Sequence, residues 1–162
     1  MKITTESHSF FKIFHDDGYI DNHGDIPIVS LHDTKQPKRK YILKNDIKKE
    51  HVVYHIDGGL VSEQNTNKCD YGVYTEDDLL ILIELKGCDY NHALEQINST
   101  IDNFKRRKAQ PSRVCARIVA SKIPSATTSN TVETKLVKRL KQLGNGTLRK
   151  MAPQLSEALS TV

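Results

Sequence analysis

A wholly apolar segment that ends in charged residues constrains the fold of this chain most strongly. Residues 79–83 read Leu-Leu-Ile-Leu-Ile and lead directly into Glu84-Leu85-Lys86. Such a run of large aliphatic side chains is typical of a strand buried on both faces. Residues two apart on a strand share a face, so Glu84 and Lys86 are predicted to point the same way. Charges at the end of a buried strand are costly unless they are paired or bind an ion, which makes this strand end a candidate functional site.

An antiparallel hairpin is predicted to bring Asp70 to the same place. Residues 67–74 are rich in strand-forming side chains, and the turn Thr75-Glu76-Asp77-Asp78 separates them from the apolar strand. Two acids and one lysine then converge at one edge of a sheet. The two acids supply the oxygen ligands that Mg²⁺ prefers. A divalent cation beside a lysine is an arrangement that suits a negatively charged phosphodiester.

Patterns on either side of the hairpin predict a mixed sheet. Residues 51–56 are expected to form a strand, with shorter strands at 26–31 and 41–43. After Gly87, Asp89 or Asn91 can cap a helix through Arg107. The apolar residues of that helix recur at helical spacing: Ala93, Leu94, Ile97, Ile101 and Phe104.

The C-terminal half continues with a strand and a second helix. Residues 114–120 read as a buried strand, which completes a strand–helix–strand crossover. Residues 132–143 are expected to form an amphipathic helix that Gly144 ends, with an apolar stripe of Leu136, Val137, Leu140 and Leu143. The tail is expected to add an edge strand and a final helical turn. The predicted class is α/β, or layered α+β: a mixed central sheet with a hairpin and a β-α-β crossover, and helices on both faces.

Length and composition predict a single domain in a reducing compartment. The 162 residues suffice for one sizeable core and contain no flexible linker, so residues 1–162 are expected to form one domain. Cys69, Cys88 and Cys115 lack CxxC spacing, which argues against a disulfide framework or structural zinc. Apolar stretches fall short of the roughly 20 residues of a membrane span, and the N-terminus lacks a signal-peptide layout. We therefore expect a cytoplasmic protein with no membrane partner.

Positive charge is concentrated in two segments. The net charge is only +4, yet residues 35–49 contain seven Lys or Arg against one acid, and residues 135–150 contain six more. Clustered cations favour a polyanionic partner, although a solvated surface explains each cluster as well. The candidate nucleic-acid contacts are Lys38, Arg39, Lys40, Lys138, Arg139 and Lys141.

The order of elements, with these residues on them, resembles the PD-(D/E)XK nuclease superfamily, which includes many restriction endonucleases and Holliday-junction resolvases. Asp70 matches the first aspartate of the motif, with Cys69 where the pattern has proline, and Glu84-Leu85-Lys86 matches the (D/E)XK part. The resemblance covers residues 50–122 and extends to small bacterial or phage members. It implies a restriction-endonuclease-like fold with its core in residues 50–122.

This resemblance also implies an activity. Members are metal-dependent nucleases, and this chain would most simply be a DNA endonuclease that uses Mg²⁺ or Mn²⁺ and leaves 5′-phosphate and 3′-hydroxyl ends. Asp70, Glu84 and the Leu85 carbonyl would hold the metal. Lys86 would stabilise charge in the transition state. Gln96, on the following helix, would orient the attacking water or the Lys86 amine, and Thr100 stands where some members have a tyrosine.

Several alternatives stay open on the sequence alone. A third carboxylate would come from Glu6, Glu50 or Asp57. Glu84 and Lys86 would instead form a surface ion pair if the strand end is exposed, and Gln96 would then be a helix-surface residue. His51, His55 and His92 are interpreted as packing or surface residues. The alternative function is a non-catalytic nucleic-acid-binding or scaffold subunit, and either form is compatible with a homodimer or a larger complex.

Overall fold

The computed structural model describes residue 3 and residues 9–15, 20–125 and 130–162, which form an α+β fold. Its helices are α1 (Ser9–Phe14), α2 (Tyr90–Arg106) and α3 (Thr131–Gln142), with a final 3₁₀ turn at Leu159–Thr161. Its strands are β1 (Ile20–Gly24), β2 (Ile28–His32), β3 (Lys40–Lys44), β4 (His51–His55), β5 (Tyr71–Thr75), β6 (Leu79–Lys86), β7 (Arg113–Ala120), β8 (Leu148–Met151) and β9 (Gln154–Ala158). Within the described residues, no helix has the length and apolar character needed to cross a membrane.

The larger sheet is mixed and has the order β1-β4-β5-β6-β7-β8. Strands β1, β4, β5 and β6 pair antiparallel, whereas β7 pairs parallel with both β6 and β8. The predicted hairpin is therefore β5–β6, and the crossover is β6–α2–β7. Strand β6 is central, and its first seven residues are buried, as the apolar run predicts.

The two faces of this sheet are covered by different kinds of structure. Leu80 and Leu82 pack in a core with residues of α1, α2 and α3. Ile81 and Ile83 pack on the other face, against the three-stranded sheet β2-β3-β9. The layered mixed-sheet fold is confirmed, but the second face carries a small sheet where helices were expected. Its strands bury alternate residues, which is the pattern of a sheet with one solvated side.

Local predictions agree with the structure apart from a few details. Asp89 caps α2 by accepting a hydrogen bond from the His92 N–H (3.0 Å). Strand β5 begins at residue 71, later than the predicted 67, so Asp70 lies just before the strand. In the stripe of α3, Leu136 and Leu140 are buried, whereas Val137 is exposed, which the sequence prediction had wrong.

A charged network lies buried between the two sheets. Arg117, in the middle of β7, and Glu157, in β9, each have side chains that are 1% exposed and form an ion pair of 2.5 Å. Glu157 also accepts hydrogen bonds from the Tyr41 hydroxyl (2.8 Å) and from Arg149 Nη1 (2.8 Å). Burial alone would raise the pKa of Glu157, but the hydrogen bond and charge of Arg117 outweigh it and lower that pKa. The small sheet is thus tied to the large one by a paired buried charge.

Candidate active site

The hairpin β5–β6 places Asp70 and Glu84 opposite each other. The register pairs Tyr71 with Ile83, so the next residue out on each strand is one of the two acids. The Asp70 N–H donates to Glu84 Oε2 (3.1 Å), and the Leu85 N–H donates to Asp70 Oδ2 (2.8 Å). Each carboxylate is therefore oriented by a backbone N–H group of the opposite strand.

Helix α2 holds the segment that carries Asp70. The Cys69 N–H donates to Thr100 Oγ1 (2.9 Å), and Gln96 Nε2 donates to the Lys68 carbonyl (2.9 Å). Thr100 is thus an anchor for the residue before Asp70. Gln96 is only 9% exposed, and its Oε1 has no hydrogen-bond partner within the described part of the chain. The buried His51 Nε2 and Asn103 Oδ1 atoms are unpartnered among the described residues in the same way, and an ordered water commonly satisfies such atoms.

All four predicted catalytic residues line one cleft of about 460 Å³. Lys86 is half-buried there and forms no ion pair with any residue that the structure describes. Its positive charge is nevertheless felt by both acids, because it lowers the pKa of each. The lining residues are His32, Asp33, Thr34, Lys35, Arg39, His55, Asp57, Asp70, Tyr71, Glu84, Leu85, Lys86, Gly87 and Gln96. The predicted convergence of Asp70, Glu84 and Lys86 is therefore present.

Burial makes both carboxylates reluctant to ionise. Burial, and next the charge of Asp70, raises the pKa of Glu84 to about 9; the Glu84 residue is 2% exposed. Burial also raises the pKa of Asp70 to about 6, although the hydrogen bond from the Leu85 N–H acts in the opposite direction. Near neutral pH the pair therefore favours a form that holds one proton over a form with two bare negative charges. A cation between the two would favour the ionised form of both.

Substituting glutamine for Glu84 is expected to stabilise the metal-free protein, and the gain should grow with pH. Since folding raises the pKa of this carboxyl from 4.5 to about 9, its contribution to stability is fully present below the lower value and is lost as the pH rises toward the higher one. Glutamine retains the acceptor for the Asp70 N–H and does not titrate. Between about pH 5 and about pH 8, the gain in unfolding free energy should increase on the order of 3–4 kcal/mol.

Urea unfolding in EDTA at the two pH values measures this change. The exposed Glu95, on α2, provides the matched variant Glu95→Gln, which should differ little from wild type at either pH. A stability gap between Glu84→Gln and wild type that is equal at both pH values would show that Glu84 does not carry the raised pKa.

The donor set suits a hard divalent cation that keeps much of its water. Within the described ranges, no group of three His, Cys, Asp or Glu side chains is arranged to hold a metal. Mg²⁺ commonly binds through one or two carboxylates, with waters and substrate phosphates completing its shell. The buried pair Asp70 and Glu84 fits that mode, with Leu85 lining the cleft beside them.

The three candidates for a third carboxylate have different outcomes. Asp57 lines the cleft, and its charge raises the pKa of both Asp70 and Glu84. Glu50 lies just before β4, at the opposite end of that strand from His55 and the cleft. It accepts a hydrogen bond from the Ile3 N–H (2.9 Å), so the prediction of Glu50 as a metal ligand is wrong. Glu6 lies outside the described residues.

The predicted nucleic-acid contacts do not form one surface. Lys38, Arg39 and Lys40 lie in or beside the β2–β3 turn, on the small-sheet side, whereas α3 packs on the opposite face of the large sheet. Lys38, Lys138 and Lys141 are exposed. Lys40 is half-buried in β3. Arg139 is engaged within the fold, because it donates to Asp102 Oδ1 (2.5 Å) and Asn98 Oδ1 (3.2 Å) of α2.

The structure adds residues to the cleft that the sequence did not assign to it. The β2–β3 turn supplies one wall through residues 32–35 and Arg39. His55 also lines the cleft, whereas His51 is buried in the fold. His92 lies at the surface, with its Nδ1 atom 3.7 Å from Glu95 Oε2. The sequence signal for this wall is Asp33, an acid six residues before Arg39 in an otherwise basic turn, because the two can pair and hold the turn in place. Nothing local shows that this turn meets β6, because β3 pairs with β9 from the far end of the chain.

Comparison with known proteins returns no match. No family model matches the chain, and neither the curated proteins nor the solved structures contain a significant match. The geometry of the cleft is therefore the basis for assigning a function.

Proposed function

We propose that this protein is a metal-dependent nuclease that hydrolyses phosphodiester bonds, most simply a DNA endonuclease of the PD-(D/E)XK type. The observation that carries the proposal is the pair Asp70 and Glu84, held face to face in a cleft that Lys86 and Gln96 also line. A buried acid pair with raised pKa values, beside a lysine that has no ion pair among the described residues, is unusual outside functional sites.

Each residue has a separate part in the proposed reaction. Asp70 and Glu84 would bind Mg²⁺ or Mn²⁺, which polarises the scissile phosphate and lowers the pKa of a water. Lys86 would place its ammonium group against a non-bridging phosphate oxygen, where negative charge increases in the transition state. Gln96, fixed by its bond to the Lys68 carbonyl, would orient the attacking water or the Lys86 amine. The products would carry 5′-phosphate and 3′-hydroxyl ends.

The direct test is incubation of purified protein with circular single-stranded DNA, circular duplex DNA and RNA, in Mg²⁺, Mn²⁺ or EDTA. Circular molecules lack ends, so their conversion to linear or nicked forms identifies an endonuclease. We expect cleavage with either metal, none in EDTA, and none by Asp70→Asn. Asp25 is an exposed acid beyond the end of β1 that is remote from the cleft, so Asp25→Asn is the matched control and should cleave normally. Intact DNA and RNA in every condition would reject the proposal.

A non-catalytic nucleic-acid-binding subunit is the second candidate. The observation in its favour is that only Asp70 and Glu84 are hydrogen-bonded to each other's strand in the cleft, and that no three His, Cys, Asp or Glu side chains of the described residues are grouped to hold a metal. Such a subunit would bind nucleic acid equally well in EDTA and in Mg²⁺ and would leave it intact. Metal-dependent cleavage that requires Asp70 excludes it.

A further inference from the structure

We propose that the substrate of this cleft is an unpaired, extended strand of nucleic acid, with a base stacked on the adjoining rings of His55 and Tyr71. This inference rests on the proposed nuclease function and names its substrate class. It depends on three observations: the recessed acids behind a fixed wall, the separation of the basic segments, and a pair of rings beside the acids.

The reactive groups lie behind a wall that is braced from two sides. Arg39 donates to Asp33 Oδ2 through Nε (2.8 Å) and Nη2 (2.5 Å), which closes the β2–β3 turn. Arg39 Nη1 donates to Ser121 Oγ (2.6 Å), just beyond the end of β7. The turn is thereby attached to the large sheet. The Arg39–Asp33 ion pair fixes the shape of the turn, and moving the turn away from the large sheet would break the hydrogen bond to Ser121.

The size of the cleft sets how much substrate can enter. Its volume of about 460 Å³ lies in the range that holds small-molecule ligands, roughly 300–1,000 Å³. This space accommodates a nucleotide or two of a separated strand. Because Glu84 is 2% exposed, the scissile phosphate has to enter the cleft to reach it. A strand that is paired along its length would be held outside by its complement.

Charge on the surface also favours a single strand. Duplex binding depends on many phosphate contacts made across a broad basic face. Here β3, from the first basic segment, and α3, from the second, cover opposite faces of the six-stranded sheet. The lysines in or next to the cleft are few: Lys35 and Lys86 line it, and Lys68 is held by Asp57 (3.6 Å) and the Glu63 carbonyl (2.6 Å). This arrangement suits contact with a short stretch of one backbone.

His55 and Tyr71 provide a surface for a base. They are directly paired in the β4–β5 register, and their ring centroids are 4.8 Å apart. Both are half-buried and line the cleft, and His55 Nε2 is held by Asp21 Oδ2 (3.0 Å). Tyr71 follows Asp70 directly, so a strand with its phosphate at the acids carries a neighbouring base toward these rings. Stacking on aromatic rings is tolerant of sequence, which is the usual mode for unpaired strands.

Binding tests the inference separately from cleavage. Ca²⁺ replaces Mg²⁺ so that substrate is not consumed, and anisotropy reports binding of a labelled oligothymidylate of about 12 nucleotides and of a hairpin duplex of similar length. We expect the single strand to bind at least about tenfold more tightly than the duplex. Tyr71→Leu should weaken its binding roughly 5-fold to 100-fold, whereas Tyr71→Phe should bind like wild type. Leucine is chosen because it retains the apolar bulk of the side chain without the ring. Thermal unfolding checks that both variants are folded.

His55→Ala, which removes the second ring, should also weaken binding of the single strand. His92→Ala removes a surface histidine outside the cleft, so it is the matched control and should bind normally. Equal affinity for duplex and single strand, or unchanged binding by folded Tyr71→Leu, would overturn the inference. In Mg²⁺, equal cleavage of circular duplex and circular single-stranded DNA would also overturn it while supporting the nuclease. Tyr71-dependent binding of the single strand without cleavage in Mg²⁺ or Mn²⁺ would support the strand preference and overturn the nuclease function.

Discussion

Replacing Lys86 with alanine is expected to slow phosphodiester cleavage by about 10²–10³-fold, because it removes the cation aimed at the phosphate in the transition state. Lys86 is half-buried in the cleft and has no ion pair within the described part of the chain, so its charge is available to the substrate. The fold should be nearly unaffected, since substitutions away from packed or paired groups change stability by about 0.5 kcal/mol or less. Cleavage of labelled DNA is measured under single-turnover conditions, with the enzyme in excess over the DNA, so that the rate reports the chemical step.

Two further variants make this result specific to position and charge. Lys44 is exposed at the end of β3 away from the β2–β3 turn, so Lys44→Ala loses the same charge far from the cleft and should retain full activity. Lys86→Arg preserves a cation with a different shape and should fall between wild type and alanine. Activity of Lys86→Ala within a few-fold of wild type would remove this residue from the mechanism.

Replacing Glu157 with alanine is expected to destabilise the fold by about 3–5 kcal/mol, because it leaves the buried Arg117 guanidinium unpaired. Arg117 is 1% exposed and donates to Glu157 Oε1 (2.5 Å). Its other hydrogen bonds among the described residues go to the Ala116 and Thr147 carbonyls (both 2.9 Å) and to Thr147 Oγ1 (3.2 Å), which are neutral acceptors. The small sheet contributes a wall of the cleft, so this variant should also lose activity on warming. Urea unfolding at neutral pH gives the free energy.

Replacing both partners at once separates the cost of an unpaired charge from the net value of the pair. The variant Arg117→Met with Glu157→Leu replaces both partners with apolar side chains of similar length. We expect it to recover most of the stability that Glu157→Ala loses. A loss below about 1 kcal/mol for Glu157→Ala, or a double variant no more stable than the single one, would contradict the described network.

Local patterns were enough to predict the centre of this fold. The apolar run predicted β6 at residues 79–86, because a short, wholly apolar segment is typical of a buried strand. The spacing of Ala93, Leu94 and Ile97 predicted α2, because apolar residues three and four apart share one face of a helix. The hairpin followed from one turn, and with it the meeting of Asp70 and Glu84. These parts are local in sequence, so their geometry is set by secondary structure alone.

The second layer was not predictable in the same way. Strand β3 pairs with β9, more than a hundred residues along the chain, and nothing in either segment specifies the other. The wall of the cleft depends on that pairing, which is why Arg39 was predicted as a free basic residue and is instead bonded to Asp33 and Ser121. Similarly, Arg139 was expected to face solvent, and only the packing of α3 on α2 brings it to Asp102. Long-range pairing decides which charges remain free.

The central claim is that Asp70 and Glu84 jointly hold a divalent cation, and calorimetric titration with Mn²⁺ near pH 8 tests it most directly. We predict that wild type and Asp25→Asn each bind one Mn²⁺, and that Asp70→Asn binds it at least about tenfold more weakly while remaining folded. Absence of Mn²⁺ binding by the wild type, or equal affinity of wild type and Asp70→Asn, would contradict the account.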